Sequence, residues 1–175
     1  MISRPEPDEY APYFGRYIAE AGETDPLTTM RGQLETTAAA FAAVGEARAG
    51  YRYAPEKWSI RQILGHLADS ERIFSYRALR MARADTTPLP GFDENDFVAA
   101  AEFDSRPLAS LLEEWRAVRR ATLTLFENLS EEATLRRGTA SGGPMSVRAL
   151  AWIIAGHERH HLAVLRERYG VGGGG

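Results

Sequence analysis

The fold is decided by residues 147–169, which read VRALAWIIAGHERHHLAVLRERY. Apolar side chains recur there every three or four residues, and an α-helix turns by about 100° per residue, so they form one stripe along a helix. His157 and His161 both fall within this stripe. Ser146 precedes the stretch as a helix N-cap, and Gly170 follows it as a stop signal. The sequence therefore predicts a long amphipathic helix that carries two histidines on its buried face.

Helix-capping signals of the same kind indicate three further long helices. Asp25-Pro26 is typical of an N-cap followed by proline in the first helical turn, and Ser59 with Gln62 forms a capping box. The predicted helices cover about 26–48, 60–84 and 107–127. A short additional helix is expected within residues 9–20.

These helices predict an all-α fold, namely a four-helix bundle with a short extra N-terminal helix. No stretch shows the sustained two-residue alternation of β-strands between hairpin turns. The connection at 85–104 is long for a compact bundle, so we expect it to form a lid or the mouth of a functional site. The predicted division of the chain is an N-terminal extension with the short helix over 1–24, the bundle over 25–170 and a flexible glycine tail over 171–175.

The composition excludes several kinds of site and partner. The 175 residues include no cysteine, which rules out disulfides, thiolate metal sites and a cysteine nucleophile, and which suits a reducing cytoplasm. The 21 basic and 24 acidic residues give a net charge of −3, and no basic stripe indicates a nucleic-acid partner. No apolar run approaches the roughly 20 residues that span a membrane. We expect a cytoplasmic protein whose partner is a small-molecule substrate.

Three of the four histidines form a candidate metal site. His157 and His161 lie one helical turn apart, a spacing at which two imidazoles can bind one ion. The segments that lead to His66 and His157, WSIRQILGH and MSVRALAWIIAGH, share a Ser-(Ile/Val)-Arg start and a Gly-His end, so both helices should present histidine on similar faces. Three imidazoles would leave positions open for water or substrate. The alternative is that they are ordinary core histidines satisfied by their neighbours.

Other side chains are candidates around this site. Residues 157–161 match the zincin motif H-E-x-x-H, in which Glu158 would be the base that activates a water on the metal. The extended form of that motif is absent, because Val164 and Glu167 stand where it needs glycine and histidine. The remaining candidates are Asp69, His160, Asp93 and Asp96 as additional ligands or orienting groups, Arg61, Arg72 and Arg77 as contacts for an anionic thiol, and Trp58, Trp115 and Trp152 as core residues.

Taken together, these motifs resemble the DinB/YfiT-like superfamily. The resemblance rests on KWSIRQILGHLADSER, RALRMARAD, PLPGFDENDF and the late H-x-x-x-H helix, and it covers roughly residues 25–168. It implies a four-helix bundle, often dimeric, in which His66, His157 and His161 bind a divalent ion such as zinc, nickel or iron. Relatives were first described as metal-dependent hydrolases, and several are S-transferases or isomerases that use bacillithiol, mycothiol or glutathione.

Three functions stay open on these residues. The first is a metal-dependent enzyme that acts on a small molecule, either as an S-transferase using a bacillithiol-type thiol or as a hydrolase, with the metal activating the thiol or a water. The second is a non-catalytic, stress-associated metal-binding module whose metal is coordinatively saturated. The third is an H-E-x-x-H zinc metallopeptidase, although little chain follows His161 to supply its downstream ligand. By the resemblance, we also expect a homodimer.

Overall fold

The computed structural model describes residues 1–171 and consists mainly of helices. The long helices are α2 (Pro26–Arg48), α3 (Ile60–Ala82), α5 (Leu108–Glu127) and α7 (Val147–Tyr169), and the short ones are α1 (Gly15–Glu20), α4 (Glu94–Ala100) and α6 (Glu131–Leu135). Two strands, β1 (Arg137–Ala140) and β2 (Gly143–Ser146), form an antiparallel hairpin, and 3-10 turns cover Pro7–Glu9, Pro12–Phe14 and Phe103–Ser105. Apart from Val171, the glycine tail predicted at 171–175 lies outside the described residues.

The long helices close into a bundle in which consecutive helices are not always neighbours in space. α3 packs against α5 and α7, and α2 packs against the same two helices, so α2 and α3 lie across a diagonal. The predicted all-α four-helix bundle is confirmed, and the predicted short N-terminal helix is α1, which packs along α7. This arrangement sets the buried face of α3 beside that of α7. None of the helices described here is long and apolar enough to cross a membrane.

Three of the four long helices, α2, α3 and α7, begin at capping signals that are visible in the sequence, whereas α5 follows Pro107 without a side-chain cap. Asp25 and Ser146 each accept a backbone N–H group from the first turn of the helix that follows. Ser59 and Gln62 form the predicted capping box, in which each side chain accepts the backbone N–H of the other residue. These bonds satisfy N–H groups that have no partner inside the helix. α2 departs from regular geometry near its end, because Gly45 adopts a φ of 67° that favours glycine.

Two connections contain structure that the sequence analysis did not predict. Segment 85–104 holds α4, and Asp93 caps this helix by accepting two N–H groups of its first turn. The glycine-rich segment after α5 holds α6 and the hairpin. The two-residue turn of this hairpin, Ser141-Gly142, has positive φ at both positions, as a type I′ turn requires. Because asparagine or aspartate usually occupies the first of these positions, the serine gave only a weak turn signal.

A layer of buried polar side chains divides the apolar core in two. One apolar cluster packs around Phe74 and Phe126, and the other packs around Phe41 and Trp115. Every long helix contributes to the polar layer between them: Gln33 and Thr37 from α2, His66, Ser70 and Glu71 from α3, Arg119 and Thr122 from α5, and His157 and Glu158 from α7. Buried polar groups destabilise a fold unless they are paired, so this layer demands either strong internal partners or a ligand.

Candidate metal centre

The three histidines predicted as metal ligands meet in the polar layer. His157 Nε2 lies 3.1 Å from His66 Nε2 and 3.2 Å from His161 Nε2. One ring nitrogen of each residue lies within 4.8 Å of the other two. α7 supplies two of the rings because positions i and i+4 share a helix face, and α3 supplies the third because it packs beside α7. The structure thus brings three imidazoles together from two helices.

Burial keeps these imidazoles neutral. It lowers the pKa of His66 to about 4, and it holds the pKa values of His157 and His161 well below the ordinary value, with neighbouring histidines adding to the effect. A neutral imidazole has one acceptor nitrogen and one N–H donor. Three Nε2 atoms that face one point therefore cannot all be satisfied by one another. A cation at that point would accept a lone pair from each ring.

Aromatic rings surround the three imidazoles. The Trp58 ring lies 4.6 Å from the His66 ring, and Tyr17 meets His157 edge-on at 5.1 Å, both measured between centroids. Phe74 also packs edge-on against His157, at 5.8 Å between centroids. Trp58 was expected in the core with Trp115 and Trp152, which are both buried there, but it is half-buried and lies at the site. These contacts limit the rotation of the imidazoles and keep water from their faces.

The histidines line a cavity of about 530 Å³ whose walls come from distant parts of the chain. α1 contributes Arg16 and Tyr17, and the hairpin turn contributes Ser141. Phe92 and Glu94 belong to segment 85–104, which was predicted to form a lid or the mouth of a functional site. Both residues line the cavity. The lining combines aromatic, basic and hydroxyl groups, which is the mixture expected of a small-molecule site.

A glycine precedes two of the three converging histidines, His66 and His157, and lets another segment approach its helix closely. A Cβ atom built on Gly65 would lie 2.5 Å from the ring of Phe103. A Cβ atom on Gly156 would lie 1.7 Å from the backbone oxygen of Tyr17. The glycine of each Gly-His pair therefore marks a position where a larger side chain would collide with the neighbouring segment. At Gly156, the result is that α1 rests on α7 beside His157.

We expect Gly156→Ala to lower the free energy of unfolding by at least about 2 kcal/mol, because its methyl group would displace the backbone of α1. Urea unfolding of both proteins measures the change. Gly32→Ala is the matched control, since this exposed glycine of α2 has no atom within 4 Å of a built Cβ. The control should be stabilising by roughly 0.5–1 kcal/mol. Equal stabilities of the Gly156 variant and the wild type would contradict the close packing of α1 on α7.

Glu158, the predicted general base, does not lie in the cavity. Its side chain is only 1% exposed, and its carboxylate accepts hydrogen bonds from Arg119 and Thr37. Arg119 also donates two bonds of 2.8 Å to Glu71, so one guanidinium serves two carboxylates. Burial raises the pKa of Glu158, although Arg119 acts in the opposite direction. We call Glu71, Arg119 and Glu158 the buried triad. This geometry does not favour the catalytic role, which stays a prediction.

The other ligand candidates have partners or positions of their own. Asp93 caps α4, and Asp96 is exposed in the first turn of the same helix. His160 lines the cavity, but its Nδ1 atom lies 3.2 Å from a carboxylate oxygen of Glu20. Over residues 1–171, the one group of side chains that could hold a metal ion consists of the three converging histidines.

Of the three arginines expected to meet an anion, one reaches the cavity. Arg61 forms an ion pair with Glu46. Arg72 forms an ion pair with Asp69, whose carboxyl pKa is raised by burial. Asp69 was a candidate to orient a histidine or to join the metal site, and the structure pairs it with an arginine instead. Arg77 lines the cavity.

Several residues of the cavity wall were not predicted from the sequence. Ser70 and Phe74 follow His66 at i+4 and i+8, so helical periodicity alone could have identified them. Tyr17 and Ser141 carry no such signal. Their places in the wall depend on how α1 and the hairpin pack against the bundle, which no local pattern reveals.

Comparisons with known proteins agree with this architecture. A family model described as the DinB superfamily matches residues 29–165. A protein of Oceanobacillus iheyensis, whose name assigns it provisionally to the metal-dependent hydrolases, is 28% identical over 116 residues. That alignment covers 65% of this chain and 66% of the relative, so the chain spans slightly less than two thirds of the relative's length.

Two solved structures share the fold. YfiT from Bacillus subtilis, described as a probable metal-dependent hydrolase with an unusual four-helix bundle topology, superposes with a TM-score of 0.72 at 17% identity, over 97% of this chain and 94% of its own. A mycothiol-dependent maleylpyruvate isomerase superposes with a TM-score of 0.68 at 17% identity, over 84% of this chain and 60% of its own. At these identities the two likenesses concern the fold alone.

Proposed function

Since the chain belongs to the DinB superfamily, we propose that it is a metal-dependent enzyme in which His66, His157 and His161 hold one divalent metal ion. The proposed substrate is a small molecule that enters the cavity of about 530 Å³, a volume within the usual range for such sites. The observation that carries the proposal is the convergence of three neutral imidazole nitrogens on one point inside the bundle.

The donor set suits a divalent transition metal. Imidazole nitrogen is a good ligand for zinc, nickel and iron, and the chain has no cysteine to supply a thiolate. Three protein ligands leave at least one coordination position open, as in catalytic zinc sites, whereas structural sites are closed by four. No fourth candidate ligand joins the group within the described chain. This supports an enzyme over the alternative of a non-catalytic module with a saturated metal.

When bound, the ion would supply the Lewis acidity that makes water or a thiol a nucleophile near neutral pH. The side chains around it hold and shield the site. Ser70 Oγ lies 3.4 Å from His66 Nδ1 and 3.5 Å from His66 Nε2, so it packs beside the ring without selecting one nitrogen. Tyr17 and Phe74 both pack edge-on against His157.

We favour transfer of a low-molecular-weight thiol over hydrolysis. A protein base beside the bound water would assist hydrolysis, but Glu158 is held by the buried triad and Glu94 is the one carboxylate in the described cavity wall. A thiol brings its own nucleophilic sulfur and needs only to lose its proton. The likeness of the fold to an isomerase described as mycothiol-dependent is in keeping with this choice.

The position of Glu158 also bears on the zinc metallopeptidase alternative. That mechanism requires the glutamate of the H-E-x-x-H motif to reach a water at the metal. Here the same carboxylate faces away from the cavity and bonds to Arg119 and Thr37. The geometry therefore does not support a peptidase. The homodimer and the cytoplasmic location expected from the sequence stay predictions.

Elemental analysis of untagged protein, purified without chelator or nickel resin, tests the metal site. We expect about one equivalent of zinc, nickel or iron per chain in the wild type and almost none in the His157→Ala/His161→Ala variant. Circular dichroism establishes that the variant is folded. The metal-loaded wild type should then accelerate the reaction of a thiol with an electrophile, and the variant should not. A wild type that refuses metal on reconstitution would overturn the proposal.

A further inference from the structure

Two arginines are buried to nearly the same extent but differ in their partners. Arg119 is 1% exposed and is paired with both carboxylates of the buried triad. Arg77 is 2% exposed, yet within residues 1–171 no carboxylate lies within ion-pair distance of it. An arginine stays protonated at neutral pH, and a buried charge without a counterion is strongly unfavourable. The guanidinium of Arg77 therefore has no counterion within the described residues, and an anion in the cavity would pair with it.

The contacts of Arg77 leave most of its donors free. Nη2 donates to the backbone oxygen of Pro90 at 2.8 Å and to Ser141 Oγ at 3.0 Å. A guanidinium has five N–H groups, and both of these bonds come from Nη2. The three N–H groups on Nε and Nη1 have no acceptor in the described chain. The side chain lines the cavity, and its guanidinium lies 5.9 Å from the ring centre of Phe92. Burial lowers the pKa of Arg77, which is the direction expected of a guanidinium without a partner carboxylate.

Arg77 and the metal site lie along one stripe of α3. His66, Ser70, Phe74 and Arg77 all line the cavity, and their spacing places them on the same helix face. Eleven residues of helix separate the α-carbons of the first and last by roughly 16 Å. Long helical side chains lean toward the helix N-terminus, so Arg77 leans toward the imidazoles. Phe14 and Phe74 form the apolar wall between the two ends.

We propose that the cavity takes a small molecule bearing a carboxylate, which binds to Arg77 while the rest of the molecule extends along the apolar wall toward the histidines. Arg16 is a second arginine of the lining, so the cavity wall carries two guanidinium groups against the single carboxylate of Glu94, which favours an anion. The proposal rests on the proposed function for what happens at the histidine end. The binding of the carboxylate does not require the metal.

The test compares 3-phenylpropionate with 3-phenylpropionamide, which have the same shape but differ in charge. Both are titrated calorimetrically into metal-free wild type. We expect the carboxylate to bind at least about tenfold more tightly, because bonds between charged groups are stronger than neutral ones. Arg77→Gln should remove this preference. Arg72→Gln, on the same helix but paired with Asp69 and Glu114, should retain it.

NMR of the arginine Nε–Hε resonances, detected on nitrogen or on the proton, provides a second readout. It is recorded on the wild type, so it does not depend on whether a variant folds. The Arg77 resonance should shift with the carboxylate and not with the amide. Equal binding of the two compounds, no binding of either, or a preference that survives Arg77→Gln would overturn the inference and assign Arg77 a structural role at Pro90 and Ser141. Because the titrations use metal-free protein, a failure of the metal site in elemental analysis would leave their outcome unaffected.

Discussion

Replacement of Arg119 by methionine is expected to lower the free energy of unfolding by about 3–5 kcal/mol. The guanidinium is 1% exposed and is the cationic partner of both Glu71 and Glu158 in the polar layer. Without it, two buried carboxylates would have to share the layer with no positive charge between them, or take up protons on folding. Urea unfolding followed by circular dichroism gives the free energy of each protein.

Arg120→Met is the matched control for this prediction. Arg120 neighbours Arg119 on α5 but is largely exposed, and its ion pair with Glu113 spans 3.6 Å, so we expect a change within about 0.5 kcal/mol. Adding Glu71→Gln and Glu158→Gln to Arg119→Met should restore at least half of the loss, because no charge is then left buried. If Arg119→Met proved as stable as Arg120→Met, the ion pairs of the buried triad would not stabilise the fold as their geometry indicates.

Replacement of His66 by alanine is expected to abolish most of the stabilisation that zinc confers. A ligand that binds only the folded state stabilises it by about 4 kcal/mol when present at a thousand times its dissociation constant. For a chain of this size, such a gain raises the melting temperature by roughly 10 °C. His66 supplies the one imidazole of the group that comes from α3, so its loss would leave two ligands on a single helix. Thermal unfolding with and without zinc measures the effect.

His160→Ala controls for loss of an imidazole near the cavity. His160 lines the cavity but approaches Glu20 and is not part of the group of potential ligands, so this variant should keep the zinc-dependent rise. Each variant is compared with itself in the presence and absence of zinc, which removes any change in basal stability caused by the substitution. A similar zinc response in wild type and His66→Ala would mean that His66 is not a ligand.

Local patterns in the sequence predicted most of the helical framework. The caps at Asp25, Ser59 and Ser146 act within one turn of chain, so neighbouring residues suffice to place the start of each helix. The short elements were harder to predict. α4, α6 and the hairpin are stabilised largely by the elements they pack against. The Ser141-Gly142 turn also lacks the asparagine or aspartate that most strongly predicts a type I′ turn.

The histidine site was likewise predicted in part from local sequence patterns, and the rest depends on how the helices pack. Helical periodicity placed His157 and His161 on one buried face, and the parallel between WSIRQILGH and MSVRALAWIIAGH indicated that His66 would face the same interior. The structure brings all three together because α3 and α7 are neighbours in the bundle. Their role as metal ligands stays the proposal that elemental analysis tests.

The sequence by itself determined the four long helices, the all-α fold class and the helix faces that carry the three histidines, because each depends on spacing along a helix. Only the tertiary structure decided which buried charges are paired. Glu158 stands next to His157 in the chain, yet it faces Arg119 of another helix and not the cavity. Arg77 and Arg119 look alike in sequence, but one meets two carboxylates and the other meets none in the described chain. A buried charge takes its partner from whichever distant helix packs against it, and that choice is made by the packing of the whole bundle.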